Sequence, residues 1–181
     1  RLPASFTNTV GLKPTYGLVS RFGVISMASS LDSIGHFSKT VRDSAIILNS
    51  AAGADGYDST VTTREKVDYL KNIDKGIKGM KIGVPKEYVS QGLDAGVKSV
   101  FEESLKALQK LGAEIVEISL PHTNAGIAVY YIIQPSEVSS NLARYDGIRF
   151  GKDRSYFSKE AKRRIMLGTY TLSSGYYDAY Y

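Results

Sequence analysis

The 181 residues include no cysteine and no tryptophan, and only two histidines. Disulfides, thiol nucleophiles and zinc–thiolate centres are therefore excluded, and the composition fits a reducing compartment, so an intracellular setting is the expectation. Long apolar runs are missing too. The longest, such as 126–133, fall far short of the roughly 20 residues that a membrane-spanning helix needs, and a soluble chain is expected. The opening Arg1-Leu2-Pro3-Ala4 has neither a methionine nor an apolar signal core after its basic residue, which predicts further sequence upstream.

What is present is ordinary globular material: 43% hydrophobic and 23% charged residues, enough to bury a core. The length fits one domain or one large part of an α/β domain, and residues 1–181 are read as one unit. A net charge of +5 would attract a polyanion, but the 23 basic residues are scattered, and only Lys162-Arg163-Arg164 forms a tight cluster.

Residues 1–37 are rich in Gly, Ser and Pro, with short apolar pieces at 10–12 and 24–27. The pattern predicts short strands joined by turns, because no run is long enough for a three-turn helix. Thr40-Val41-Arg42-Asp43 reads as a capping box that opens a helix over 41–52, with Gly53 placed for a left-handed cap. Residues 56–77 predict surface loop with one short helix. The clearest local signal is 80–120, a strand at 80–85, a helix at 95–111 and a strand at 113–120. That order predicts a βαβ crossover with parallel strands, so the fold class is α/β. A helix over 125–142, kinked by Pro135, and a last helix over 159–181 complete the reading.

Candidate chemistry is sparse. His36 and His122 stand apart from any second ligand at metal spacing, so no metal is assigned. The pairs Glu102-Glu103 and Glu114 with Glu117 lie on polar faces, where solvation accounts for them. Gly11, Gly17 and Gly23 do not form a phosphate-cradling loop. The 13 tyrosines favour packing with bonded hydroxyls over base stacking. Arg163 and Arg164 are adjacent on a helix, about 100° apart, so only one should face a given pocket.

Two groups of motifs carry a resemblance. Arg1-Leu2-Pro3-Ala4-Ser5-Phe6, Val10-Gly11-Leu12-Lys13-Pro14-Thr15-Tyr16-Gly17, Val19-Ser20-Arg21-Phe22-Gly23 and Ser29-Ser30-Leu31-Asp32-Ser33-Ile34-Gly35 resemble the segment that follows the nucleophile in amidase-signature enzymes. Lys86-Glu87-Tyr88, Ser139-Ser140-Asn141-Leu142, Arg144-Tyr145-Asp146-Gly147-Ile148-Arg149, Lys162-Arg163-Arg164-Ile165-Met166-Leu167-Gly168-Thr169 and Leu172-Ser173-Ser174-Gly175-Tyr176-Tyr177-Asp178-Ala179-Tyr180 resemble, within that family, the A subunits of glutamyl-tRNA(Gln) amidotransferases. The resemblance runs nearly end to end and implies an interior portion of a single amidase-signature domain, a mixed β-sheet covered by helices. Asn8 and His36 stand where relatives have a glycine and a proline, and Pro135 interrupts a usually unbroken helix. The stretch 151–158 reads as shorter than its counterpart, as though a loop were missing.

The resemblance implies a glutaminase subunit that releases ammonia from glutamine for the transamidation of Glu-tRNA(Gln). Its Ser-cis-Ser-Lys triad would precede Arg1, so no catalytic residue is expected among these 181 and the chain alone should be inactive. Tyr130 and Arg164 are implied to bind glutamine, with Arg164 on its α-carboxylate and an acidic partner for its amino group beyond Tyr181. The implied partners are the other amidotransferase subunits, glutamine, and tRNA through the complex. No cofactor is implied on this chain, with ATP and Mg at a partner subunit, and the implied setting is bacterial cytoplasm or an organelle matrix. Two alternatives stand beside this reading, a stand-alone amidase of the same family and a non-catalytic basic RNA-binding module.

Overall fold

The structure, a computed structural model, describes residues 1–89, 92–147, 149 and 151–180. Ile148 of the 144–149 motif and Tyr181, the expected end of the last helix, lie outside the described residues. The chain divides into two compact units, one of 1–71 with 128–181 and one of 72–127.

The first unit opens with α1 (Leu2–Thr7), β1 (Val10–Leu12), β2 (His36–Ser38) and α2 (Val41–Ala51). Its N-terminal stretch departs from expectation. Leu2–Thr7 is helical, where turns and strands were expected, because Pro3 sits in the first turn where its missing N–H costs nothing. The helix is only six residues long, so the expectation failed on type rather than on length. It stops at Asn8, which adopts the left-handed conformation at φ 52° and ψ 45°. Asparagine is, after glycine, the residue that best tolerates that region. Strand β1 pairs antiparallel with β2, Val10 opposite Ser38 and Leu12 opposite His36, whereas 24–27 forms no strand. His36 spends its Nε2 on the Ser44 hydroxyl at 2.8 Å.

Thr40 caps α2 as its sequence predicts, its hydroxyl accepting from the Asp43 amide at 3.0 Å. The helix ends differently. Ala52 is already extended and bridges Val19, and Gly53, at φ +127° rather than in a left-handed cap, donates its amide to the Leu18 carbonyl at 3.0 Å. The short helix expected within 56–77 is replaced by turns, such as that closed by the Lys71 amide on the Asp68 carbonyl.

Arg21 fastens this loop region. Its backbone amide and Nε donate to Asp58 at 2.9 and 3.3 Å, its Nη2 reaches the Thr60 hydroxyl at 2.9 Å, and its guanidinium lies 4.9 Å from the centre of the Tyr16 ring. The Thr60 hydroxyl bond, then the Arg21 amide, hold the Asp58 carboxyl well below the usual carboxylate range.

The second unit is the crossover that periodicity predicts. Strand β3 (Lys81–Pro85) pairs in parallel with β4 (Glu114–Ile118), Lys81 opposite Glu114 and Pro85 opposite Ile118, with α3 (Ala95–Lys110) between them in sequence. Asp94 opens α3 by accepting from the amides of Gly96 at 2.8 Å and Val97 at 3.2 Å, which satisfies two of the orphan donors of its first turn. Gly112 takes φ +90° just beyond the helix, a conformation that a β-carbon would penalise. Of the expected apolar face, Phe101, Leu105 and Leu108 are half-buried, while Val97 and Val100 are exposed.

The rest of the first unit is helical. Helix α4 (Gly126–Leu142) starts in the other unit and runs through Pro135. Helix α5 (Lys159–Thr171) and α6 (Tyr177–Tyr180) follow. The single last helix expected over 159–181 is broken between them, at a turn where Gly175 takes φ +86°. Helices α4 and α5 touch backbone to backbone: a β-carbon at Gly168 would overlap the Pro135 carbonyl, so only glycine permits this approach. Among the described residues no helix is long and apolar enough to cross a membrane.

Candidate functional site

The Gly168–Pro135 contact determines what α5 can reach. Arg164 lies one helical turn before Gly168 and on the same face, while Tyr130 and Gln134, also four apart, share one face of α4. Arg164 therefore meets both. Its Nη1 donates to the Tyr130 hydroxyl at 2.7 Å and to Oε1 of Gln134 at 3.3 Å. The two residues that resemblance singled out are thus in direct contact.

Glu160 completes the cluster from the first turn of α5. It accepts from Arg164 Nε at 2.6 Å, and from Arg163 Nε and Nη2 at 2.9 Å each. The expectation that the adjacent arginines diverge does not hold: their Cβ directions differ, but side chains of this length converge on one carboxylate three and four residues away. Arg163 lies 5.4 Å from the centre of the Tyr131 ring, and Arg164 lies 5.9 Å from both Tyr130 and Tyr131. The side chain of Arg164 is 29% exposed against 52% for Arg163, so Arg164 is the more desolvated charge.

The electrostatics follow from this sharing. Bonds from Arg163 and then Arg164 hold the Glu160 carboxyl down to about 2, far below its ordinary 4.5. Glu160, followed by the Tyr130 hydroxyl, raises Arg164 above the ordinary arginine value. Two guanidiniums against one carboxylate leave one positive charge uncompensated within the cluster.

Gln134, only 7% exposed, links this cluster to a loop: its Oε1 accepts from Arg164 and its Nε2 donates to the Met27 sulfur at 3.7 Å. Further along α4, Asn141 donates to the Met27 carbonyl at 3.1 Å and the Ser29 hydroxyl at 3.0 Å. Glu137 accepts from the Ser30 amide at 2.9 Å and from the Ser30 hydroxyl. Positions 134, 137 and 141 lie on one stripe of the helix, which ties the Ser29-Ser30 motif to the element that carries Tyr130.

Glu160, Gln134 and Glu137 were not singled out from sequence, and Asn141 entered only as part of a motif, without a role. Glu160 had a readable signal, since it stands three and four residues before Arg163 and Arg164 on a predicted helix. The other three depend on a loop more than 100 positions away. Glu102 and Glu114 lie exposed at 3.9 Å from Lys98 and Lys81, away from this cluster in sequence and in their pairing. Among the described residues no group of three or more His, Asp or Glu side chains could hold a metal ion.

Comparison with known proteins identifies the family. Residues 1–181 match the amidase family. Over the whole chain the sequence is 54% identical to the glutamyl-tRNA(Gln) amidotransferase A subunit of Fusobacterium nucleatum and 55% identical to the protein of that name in Persephonella marina, covering 40% of each. The first alignment runs 196 positions against 181 residues, so the relative carries residues with no counterpart in this chain. The crystal structure of the glutamyl-tRNA(Gln) amidotransferase A subunit from Thermotoga maritima superposes with a TM-score of 0.72 at 43% identity, covering 95% of this chain and 35% of that one. A bacterial aryl acylamidase of the amidase-signature enzymes shares the fold with a TM-score of 0.74 at 21% identity, covering 99% of this chain and 38% of its own. The chain therefore spans about two fifths of the curated relatives it matches.

Proposed function

The chain belongs to the amidase family, and from that premise we propose that it forms part of the glutaminase subunit of a glutamine-dependent Glu-tRNA(Gln) amidotransferase. The observation that carries the reading is the 54% identity to amidotransferase A subunits across the whole chain, and, between superposed structures, 43% to such a subunit against 21% to an aryl acylamidase of the same fold. In this proposal glutamine is hydrolysed to glutamate and ammonia, and the ammonia passes to a partner subunit that amidates Glu-tRNA(Gln). ATP and Mg act at that partner, and the setting is bacterial cytoplasm or an organelle matrix. The serine–serine–lysine triad belongs to the complete subunit, upstream of Arg1. The contribution of this portion is substrate recognition: Arg164 takes the α-carboxylate of glutamine and Tyr130 lines the pocket.

The Arg164–Tyr130 contact at 2.7 Å supports that assignment, because it fixes a partly desolvated cation beside a hydroxyl that retains a proton to donate. In the complete subunit Arg164→Ala should lower kcat/KM for glutamine by about 10- to 150-fold, the worth of a charge-assisted contact of about 1.5–3 kcal/mol. Lysine should restore only part, since it keeps the charge without the planar fork that spans Glu160 and Tyr130. Arg163 shares Glu160 and cannot act as the neutral control. Lys162, exposed on the same helix, is suitable, and an equal loss in Lys162→Ala would refute a specific contact.

A further inference from the structure

Arg164 carries five N–H groups, and the structure accounts for three of them. Nε–H goes to Glu160, and Nη1 serves Tyr130 and Gln134, while Nη2 donates to no described residue. The Tyr130 oxygen accepts from Nη1, so its own proton is available to a second acceptor. Nη2, which shares one edge of the guanidinium with Nε and the other with Nη1, is therefore the nitrogen left for an incoming ligand, next to a hydroxyl that can donate. Glu160 creates this presentation without neutralising the site. Arg163 engages both of its oxygens, which leaves one positive charge over for an incoming anion.

We propose that Glu160 is a positioning residue for glutamine, holding Nε of Arg164 while anchored on Arg163, so that Nη2 of Arg164 and the Tyr130 hydroxyl receive the α-carboxylate. The inference rests on the proposed pairing of Arg164 with that carboxylate. Without Glu160, two neighbouring guanidiniums lose their shared counter-charge and Arg164 loses the bond that fixes its plane. Its remaining contacts, through Nη1 alone, allow rotation about that nitrogen. The carboxylate then has to order the side chain on binding, which weakens ground-state capture more than chemistry at the distant amide.

The test uses the complete subunit with Glu160→Ala, Glu160→Gln, Arg164→Ala and Lys162→Ala. Each is assayed on glutamine and on 4-aminobutyramide, which is glutamine without its α-carboxylate. Glu160→Ala should raise KM for glutamine by about 5- to 10-fold with kcat within about twofold, the loss expected for one orienting hydrogen bond. Glu160→Gln keeps one acceptor oxygen and should fall between wild type and alanine. Turnover of 4-aminobutyramide should be unchanged by either, and Lys162→Ala should match wild type on both. An unchanged or lowered glutamine KM in Glu160→Ala, with Arg164→Ala raising it, overturns the positioning role alone. An unchanged KM in Arg164→Ala overturns the carboxylate reading and this inference with it. Equal losses on both substrates in the two Glu160 variants would mean that Glu160 supports the fold rather than the carboxylate.

Discussion

At the scale of single residues, Glu160 links stability to acidity in a direction that can be worked out. Its carboxyl is held at about 2 in the folded protein against an ordinary 4.5, so the folded state favours the ionised form. A depressed carboxyl contributes its stabilisation fully above the unfolded value and loses it as pH falls through the folded one. The difference in melting temperature between wild type and Glu160→Gln should therefore stay constant from about pH 8 down to about pH 5 and then shrink toward about pH 2. A difference that changed between about pH 6 and 8 would assign the titration to another group. Part of this cluster was legible in the sequence. Arg164 and Tyr130 came from the resemblance, and the spacing of Glu160 from the two arginines was there to be read. Gln134, Glu137 and Asn141 were not legible, because their partners Met27, Ser29 and Ser30 become neighbours only once the chain has folded.

At the scale of elements, the contact between α4 and α5 puts the site together, and its weak point is Gly168. Alanine there would drive a β-carbon into the Pro135 carbonyl, a backbone atom that cannot rotate aside, so the helices must part. Overpacking of this kind commonly costs about 1–3 kcal/mol. Gly168→Ala in the complete subunit should lower the denaturation midpoint accordingly with an unchanged slope, and should raise KM for glutamine, since Arg164 rides on the displaced helix. A variant as stable as wild type would mean that α5 does not pack against Pro135 as described. The crossover of β3, α3 and β4 was readable because periods of 2 and 3.6 follow one another within 40 residues and the pairing is local. Helix α1 was not, since six residues offer no periodicity and only Pro3 and Asn8 mark its ends. The break between α5 and α6 did carry a signal, because Ser174-Gly175 is a turn-marking pair and Gly175 takes φ +86° there, and the expectation of one helix over 159–181 passed over it.

At the scale of the whole molecule, the distribution of apolar surface is what the relatives' length would lead one to expect. The buried hydrophobic residues among those described are Ala4, Ala28, Leu48, Val61, Ala113 and Val138, half of them alanines, with Pro14 and Pro135 buried as well. Meanwhile Phe6 is 80% exposed and Met166 71%. The accessible surface is 13834 Å² for 19.8 kDa. A compact protein of this mass exposes about 8,600 Å², and two separate compact bodies with the sizes of the two units would expose roughly 10,000 Å². The excess holds under either comparison, and with side chains such as Phe6 and Met166 exposed, part of it is apolar surface that further protein should cover. The 181-residue chain prepared alone should therefore enhance anilinonaphthalene sulfonate fluorescence several-fold over an equimolar sample of a complete subunit, and should self-associate as concentration rises. It should also release no ammonia from glutamine, because the proposed triad lies outside it. A monodisperse, dye-silent chain with one cooperative unfolding transition would show that the exposed faces find partners within these residues. Ammonia release abolished by a substitution among residues 1–181, in a preparation shown by intact mass to hold nothing else, would place the nucleophile within this chain and overturn the assignment of the triad to the rest of the subunit.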